Sequence, residues 1–387
     1  MKQRQMTITF KNESVGRLIQ QPGDGSTVFE YAPDQVQDIA CGLPVSEGVH
    51  RWSGGLHPVF QHCSAEGVLR QAQAEASKLD QQDDFGLLAA FGSDCIGAIG
   101  FIKDAADEDA PLAAVTAANP PSGLIAGRTI SGVQLKRFAY ELSAGKFVVA
   151  TENSPATHIA KIAEARLPNI VGNECYTLHL AKHVLGADRV TEFQRVDLAD
   201  TQEDALLLTR FDRSDTGKKI RLEDFAQILK VPRGSDFKGK YQSSHEAIGS
   251  AITQFSSAPI IDLVHFFKLV VFNILIGNAD AHLKNFSLLE VGDGLRLSPA
   301  YDLVNTCLYQ QYDRNIALGM NGSKPALEEI VRKDMIAFGR NLGLLENAII
   351  QSLDDVIARL SSQSRSKSDP SDPYWIFVGG QIVRLAA

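Results

Sequence analysis

The chain is short of pairable cysteine, of positive charge and of uninterrupted apolar sequence. Its five cysteines, Cys41, Cys63, Cys95, Cys175 and Cys307, are odd in number, widely spaced and never in a C-x-x-C arrangement. That pattern argues against a disulfide framework and a zinc knuckle, and predicts reduced, mostly buried thiols. Lys and Arg number 38 against 46 Asp and Glu, so the net charge is −8 and the molecule as a whole repels polyphosphate backbones. Free-standing DNA binding is disfavoured. The longest apolar run, residues 260–276, is interrupted by Asp262, His265, Lys268 and Asn273 and reads as a core helix rather than a membrane span. The opening MKQRQMTITF holds no apolar stretch of signal-peptide length, so the expected location is the cytoplasm, with no membrane partner. No internal repeat is visible.

What the chain does have is a globular composition, 44% hydrophobic and 22% charged, which excludes a disordered, collagenous or coiled-coil chain. Its 387 residues are more than one common domain length. TITFKNESVG and STVFEYA, separated by QPGDG, predict strands of a small mixed α/β domain. FGLLAAFGSDCIGAIGFI reads as a short helix, a glycine break and a strand. Residues 104–123, rich in Ala, Asp and Pro, mark a domain boundary. Beyond them LKRFAYELSAGKFVVAT predicts a hairpin turning at SAGK, with a helix near Gly172–Leu185 and a strand at ALLLTRFDR. After Asp212 the pattern turns helical: RLEDFAQILK, HEAIGSAITQF, IIDLVHFFKLVVFNILIG and ALEEIVRKDMIAFGRNLG. SSQSRSKSDPSDP, at 361–373, reads as an exposed tail or loop. The expected division is an N-terminal domain at 1–110, a β-rich lobe at 111–213, a helical lobe at 214–365 and a tail at 366–387.

The segment richest in chemistry is GNADAHLKNFSLLEVGDGLRLSPAYDL, residues 277–303. Asp280 and Asn285 stand in the spacing D-x-x-x-x-N, and the hairpin FSLLE–VGDG–LRLSP returns the chain so that Asp302 comes back beside them. Two carboxylates and an amide suit phosphoryl transfer. One carboxylate orients the attacking hydroxyl and accepts its proton, while the other, with the amide oxygen, holds Mg²⁺. Asp280 is the expected base, and Asn285 and Asp302 the metal ligands. Upstream, Gly132 in TISGVQLK lets backbone N–H groups approach phosphate, and THIAKI places Lys161 on a strand, like the lysine that grips the nucleotide phosphates in kinases. Glu174, on the following helix, is a candidate partner for that lysine. Cys307 is the one cysteine to test for reactivity.

Taken in order, SGVQLK, THIAKI, LTRFDR, LIGNADAHLKNFSLL and LSPAYDL resemble the successive signatures of the HipA family, serine/threonine kinases of bacterial toxin–antitoxin modules. VGRL, HPVFQHCSAEGVLRQ and FGLLAAFGSDCIGAI are similar to the domain preceding the kinase core in that family. The resemblance implies a protein-kinase-like two-lobed α+β fold with a β-rich nucleotide lobe and a helical lobe, binding ATP and Mg²⁺. It implies that Ser131, Gly132, Val133, Gln134, Leu135, Lys136 and Lys161 contact ATP phosphates. It further implies that Thr209, Arg210 and Phe211 line the adenine hinge, with His282 and Tyr301 near the nucleotide. Autophosphorylation at Thr129 or Ser131 is a further implication. So are a helix-turn-helix HipB-like antitoxin, DNA contact only through that partner, and a protein substrate such as an aminoacyl-tRNA synthetase. Two departures are visible: Cys63–Gly67 replaces the family's Leu-Pro-Glu-Gly stretch, and Tyr301-Asp302-Leu303 lacks the glycine of D-F-G. The alternatives are a small-molecule kinase and a catalytically residual co-repressor bridging a DNA-bound antitoxin.

Overall fold

The computed structural model describes residues 3–104, 125, 127–130, 134–364 and 371–387. Ser131, Gly132 and Val133 of the expected phosphate loop lie outside the described residues, as does nearly all of the compositional break at 104–123. The chain forms two compact units, Met1–Glu164 with Arg195–Gly239, and Ala165–Gln194 with Lys240–Ala387.

The first unit holds two antiparallel sheets. In one, β1 (Arg4–Phe10), β2 (Glu13–Gln20), β3 (Thr27–Tyr31), β4 (Val49–Trp52) and β5 (Ile99–Lys103) lie in the order β4-β3-β2-β1-β5. Alternation selects the buried face: Met6, Ile8 and Phe10 point inward and meet Leu18, Phe29 and Phe101, which pack with Phe60 from the short helix α1 (Pro58–Gln61). The rings of Phe60 and Phe29 meet edge-on at 5.4 Å. α2 (Gly67–Ser77) and α3 (Asp84–Phe91) complete this part.

The second sheet has the order β7-β6-β8-β10-β9, with β6 (Lys136–Ser143), β7 (Lys146–Val149), β8 (His158–Ile162), β9 (Phe193–Asp197) and β10 (Asp204–Thr209). The expected hairpin is present, turning at Ala144-Gly145 where Gly145 has φ +75°. RLEDFAQILK, expected to be helical, is instead the strand β11 (Leu222–Asp224) followed by a single turn, α5 (Phe225–Ile228). A distant and a local interaction divide it: Glu223 accepts from the Cys41 N–H at 2.9 Å and from Arg221, and Asp224 forms a capping box with Gln227.

The second unit is helical: α4 (Ile170–Leu185), α6 (His245–Phe255), α7 (Pro259–Ile276), α8 (Arg332–Asn341), α9 (Glu346–Ser364) and α10 (Pro373–Ala386), with the hairpin strands β12 (Ser287–Val291) and β13 (Gly294–Leu297). α7 is apolar all round and forms the core, with α4, α6, α9 and α10 packed against it. Among the described residues it is the one helix long and apolar enough to cross a membrane, and 67% of it is buried inside the protein.

The stretch expected as an exposed tail is structured at both ends. α9 continues to Ser364, and α10 starts at Pro373 with Asp372 capping the Tyr374 N–H at 2.9 Å. Polar composition hid a helix start, and beyond it Tyr374, Trp375, Val378 and Leu385 form a buried apolar face. Trp375 donates to the Tyr176 hydroxyl at 2.9 Å, and the Tyr374 hydroxyl lies 3.0 Å from that of Thr177.

His245 opens α6 inside a cage of Phe266, Phe286 and Phe338, with its Nδ1 3.2 Å from the Gly319 carbonyl. Burial pushes its pKa down to about 4, with Glu246 and Lys324 as the neighbouring charges. The folded value lies below the ordinary 6.5, so the neutral ring's contribution is complete above pH 6.5 and is lost as pH falls toward 4. The linkage amounts to about 3 kcal/mol. Urea unfolding followed between pH 7 and 4 is expected to show this loss, and His245→Gln to flatten that part of the curve.

Candidate active site

The candidate loop begins where α7 ends. Gly277, at φ +80°, takes the left-handed cap, and a Cβ there would lie 2.7 Å from Asn305 Oδ1 and 2.8 Å from Phe377. Asn278 then bridges backward and forward, donating from Nδ2 to Asn273 Oδ1 at 2.8 Å and to the Asp302 carbonyl at 3.2 Å. Thr306 Oγ1 accepts from the Ala279 N–H at 2.9 Å. The loop is thus tied at its root to the segment that carries Asp302.

Asn285 closes the loop on itself. Its Oδ1 accepts from the His282 N–H at 2.9 Å, the His282 carbonyl accepts from the Asn285 N–H at 2.9 Å, and fully buried Leu283 anchors the turn. The β12–β13 hairpin, in register Leu288↔Leu297, then returns the chain. Tyr301 reaches Ser287 Oγ at 2.5 Å and donates to the Lys284 carbonyl at 2.9 Å. Its hydroxyl therefore holds the loop together. Asp302 sits at φ +54°, a left-handed conformation unusual outside glycine, and its Oδ2 accepts from Asn285 Nδ2 at 2.9 Å. The structure brings Asn285 and Asp302 together.

Asp280 is half-buried on the same loop. Its Oδ1 accepts from the hydroxyl of Tyr241 at 2.9 Å, and the Tyr241 ring meets His282 edge-on at 5.2 Å. No spacing rule points to Tyr241, 39 residues upstream of Asp280; sequence reasoning missed it. Glu174 is buried on α4, where Asn173 donates to the Asn305 carbonyl at 2.9 Å and supports the segment after Asp302.

Hard oxygen donors fit Mg²⁺. Asn285 Oδ1 keeps a second lone pair beside the one used by His282, and Asp302 contributes a carboxylate. Among the described residues no group of three or more His, Cys, Asp or Glu side chains is placed to hold a metal ion. A divalent ion here would complete its shell with phosphate oxygens and water, as Mg²⁺ commonly does.

In the first unit, Lys161 on β8 is directly opposite Lys136 on β6. Lys161 is 3% exposed. Leu135 donates its N–H to Glu164 Oε1 at 2.9 Å, and half-buried Gln134 precedes it. Thr209 ends β10 opposite His158, exposed; Phe211 is half-buried.

Arg210, expected with Thr209 and Phe211 to line the adenine hinge, turns its side chain into the protein. That side chain is 0% exposed, donates to both oxygens of Asp212 at 2.9 and 2.7 Å, and lies 4.7 Å over the Phe138 ring. Thr129 is 1% exposed, so its hydroxyl is not presented for modification in this conformation. Cys307 is likewise not primed as a nucleophile. Burial pushes its pKa up to about 11, Arg314 opposing and Glu328 adding, which leaves it a thiol at neutral pH.

The profile of the HipA-like C-terminal domain matches residues 128–364, and that of the HipA N-terminal domain matches residues 6–102. The chain belongs to the HipA family. It is 29% identical over 363 residues to Y4dM of Sinorhizobium fredii, a protein provisionally named a kinase, covering 87% of this chain and 85% of that one. To the serine/threonine-protein kinase toxin HipA of Shewanella oneidensis it is 26% identical over 316 residues, covering 74% and 71%. Among solved structures, a chain of the Shewanella oneidensis MR-1 complex of HipA, HipB and operator DNA superposes with a TM-score of 0.72 at 21% identity, over 98% of this chain and 95% of that one. The HipA fold here is protein-kinase-like and two-lobed, and the enzyme class is kinase.

Proposed function

We propose that this HipA-family chain transfers the γ-phosphoryl group of Mg-ATP to a serine or threonine hydroxyl of a protein, as the growth-inhibiting toxin of a type II toxin–antitoxin module. The observation that carries the reading is the Asn285–Asp302 pair, closed at 2.9 Å on the loop that also bears Asp280. Asp280 orients the acceptor hydroxyl and takes its proton as the new O–P bond forms. The bond from the γ-phosphorus to its bridging oxygen breaks, and ADP leaves with that electron pair. Asn285 and Asp302 would hold Mg²⁺, which when bound neutralises charge on the phosphates. Lys161 and Lys136 supply cationic groups suited to phosphate oxygens, and Gln134 and Leu135 belong to the segment that follows the expected phosphate loop.

The acidic balance of the chain supports contact with DNA only through a basic partner, a HipB-like antitoxin, and the setting of this reading is the cytoplasm. The Shewanella complex, which contains HipB and operator DNA, supports the same partner. An aminoacyl-tRNA synthetase as acceptor rests on family likeness.

The test is incubation of the purified protein with labelled ATP and cell lysate. Label on a discrete protein band is the expected result, and label only on a low-molecular-weight product would replace protein by a small molecule as substrate. Asp302→Ala is expected to abolish most of the thermal stabilisation by millimolar Mg-ATP, each midpoint shift being read against the variant's own nucleotide-free midpoint, which the positive φ at this position lowers somewhat. Full stabilisation of that variant would remove Asp302 from the metal site.

A further inference from the structure

Asp280 carries two equivalent oxygens on a torsion with little intrinsic preference, so a carboxylate alone on a loop would not present one oxygen in a fixed direction. Here one oxygen is held. The Tyr241 hydroxyl donates to Oδ1 at 2.9 Å. Tyr241 is itself placed from several sides. Its ring meets His282, whose N–H and carbonyl shape the loop, and Lys240 Nζ lies 5.6 Å from the ring centroid. Its carbonyl accepts from Lys324 Nζ at 2.6 Å, and the same ammonium donates to the Ala317 carbonyl at 2.7 Å.

Just beyond Tyr241 the strap is bonded in both directions to Gly319. The Gly319 N–H donates to the Ser243 carbonyl at 2.9 Å, and the His245 N–H donates to the Gly319 carbonyl at 2.8 Å. Burial of His245 among three phenylalanines fixes the start of the helix that follows. A hydroxyl delivered by so anchored a segment is a preset donor rather than a wandering one.

We propose that Tyr241 is a positioning residue for phosphoryl transfer: by donating to Oδ1 it fixes the orientation of the Asp280 carboxylate that takes the proton of the acceptor hydroxyl. This rests on the reading of Asp280 as the base. Tyr241 touches neither nucleotide nor acceptor in this scheme. It acts through Asp280, so its loss lowers the rate of transfer and leaves nucleotide binding alone.

Tyr241→Phe isolates the hydroxyl, because the ring that packs on His282 remains. Transfer from labelled ATP to acid-precipitable lysate protein is measured for the wild type, Tyr241→Phe and Asp280→Ala, with the KM for Mg-ATP, its thermal stabilisation and the nucleotide-free midpoint of each. The expected result for Tyr241→Phe is a roughly ten- to hundredfold fall in kcat, a loss of the size caused by misplacing a reacting group, with KM for Mg-ATP and both midpoints near wild type. Wild-type kcat in Tyr241→Phe beside an inactive Asp280→Ala overturns the inference and leaves the base assignment standing. A fall in kcat accompanied by a lowered midpoint and a raised KM marks a merely structural residue and also overturns it. Wild-type turnover by Asp280→Ala, or no label from the wild type, removes the reading on which it rests.

Discussion

Asp280→Ala is expected to lower protein phosphorylation by about 10²–10⁴-fold, the usual contribution of a general base, while the thermal midpoint stays close to that of the wild type. The reasoning separates what the side chain does from what the backbone does. The loop is held by the Asp280 carbonyl accepting the His282 N–H at 2.8 Å, by Asn278 and by Thr306, none of which uses the Asp280 carboxylate. The carboxylate is half-buried and has the Tyr241 hydroxyl as a neighbour, so its removal costs little packing. Asp280→Asn sharpens the test, since an amide keeps the shape and an acceptor oxygen but cannot take the proton. Turnover near wild type in either variant, measured by label from ATP on protein, would end the assignment.

Asp212→Ala should produce the largest loss of stability, about 3–5 kcal/mol, the cost of leaving a buried ion pair without one partner. Asp212 is 3% exposed and accepts four hydrogen bonds: two from Arg210, one from Arg213 Nη1 at 2.8 Å and one from the Gly97 N–H at 2.8 Å. The same guanidinium groups reach the Cys95 carbonyl, and Arg213 also pairs with Asp94 at 2.6 Å. Gly97 at φ +83° admits the close approach, because a Cβ would meet the Leu222 carbonyl at 2.6 Å. Burial raises the carboxyl pKa of Asp212, but Arg210, Arg213 and the Gly97 N–H outweigh it and hold it below the ordinary carboxylate value. The contribution is therefore present above the unfolded value near 3.8 and is lost as pH falls through the folded one. Urea denaturation of Asp212→Ala at pH 7 measures the loss; a midpoint within experimental error of wild type would show the network to be dispensable.

This network changes the meaning of LTRFDR. As a string, the segment is a family signature of which Thr209, Arg210 and Phe211 are expected to line the adenine hinge. In the folded chain, Arg210, Asp212 and Arg213 fasten the end of β10 to the loop before β5. The pairs Arg210–Asp212 and Arg213–Asp212 are neighbours in sequence, but their burial against Asp94, Cys95 and Gly97, more than a hundred residues away, follows no periodicity, so local pattern reading could not find it. Tyr241 was hidden for the same reason. Asp280, Asn285 and Asp302 were legible because a short loop, a tight hairpin and a local spacing bring two of them together without help from distant elements. Lys161 was legible as a strand residue through alternation in THIAKI, and its pairing with Lys136 follows from a hairpin and one added strand.

The two misread segments fail in an instructive way. RLEDFAQILK has helical periodicity, but Glu223 lies in a strand, where its carboxylate accepts from the Cys41 N–H and from Arg221, and helix begins only after Asp224. The polar run at 361–373 looked like a tail because its composition is polar, yet Pro373 and Asp372 begin a helix whose apolar face finds Tyr176, Thr177 and α7.

From sequence alone came the kinase-like class, through the resemblance of its successive signatures to a known family, and the strand that carries Lys161, the core helix α7 and the loop that follows it, each of which depends on periodicity, turn chemistry or spacing within some thirty residues. Tertiary structure alone decided which groups surround them: the hydroxyl on Asp280, the carboxylate between Arg210 and Arg213, the phenylalanine cage around His245 and the docking of α10. Those outcomes depend on which distant side chains burial brings into contact, and close packing selects among them only once the whole chain has folded.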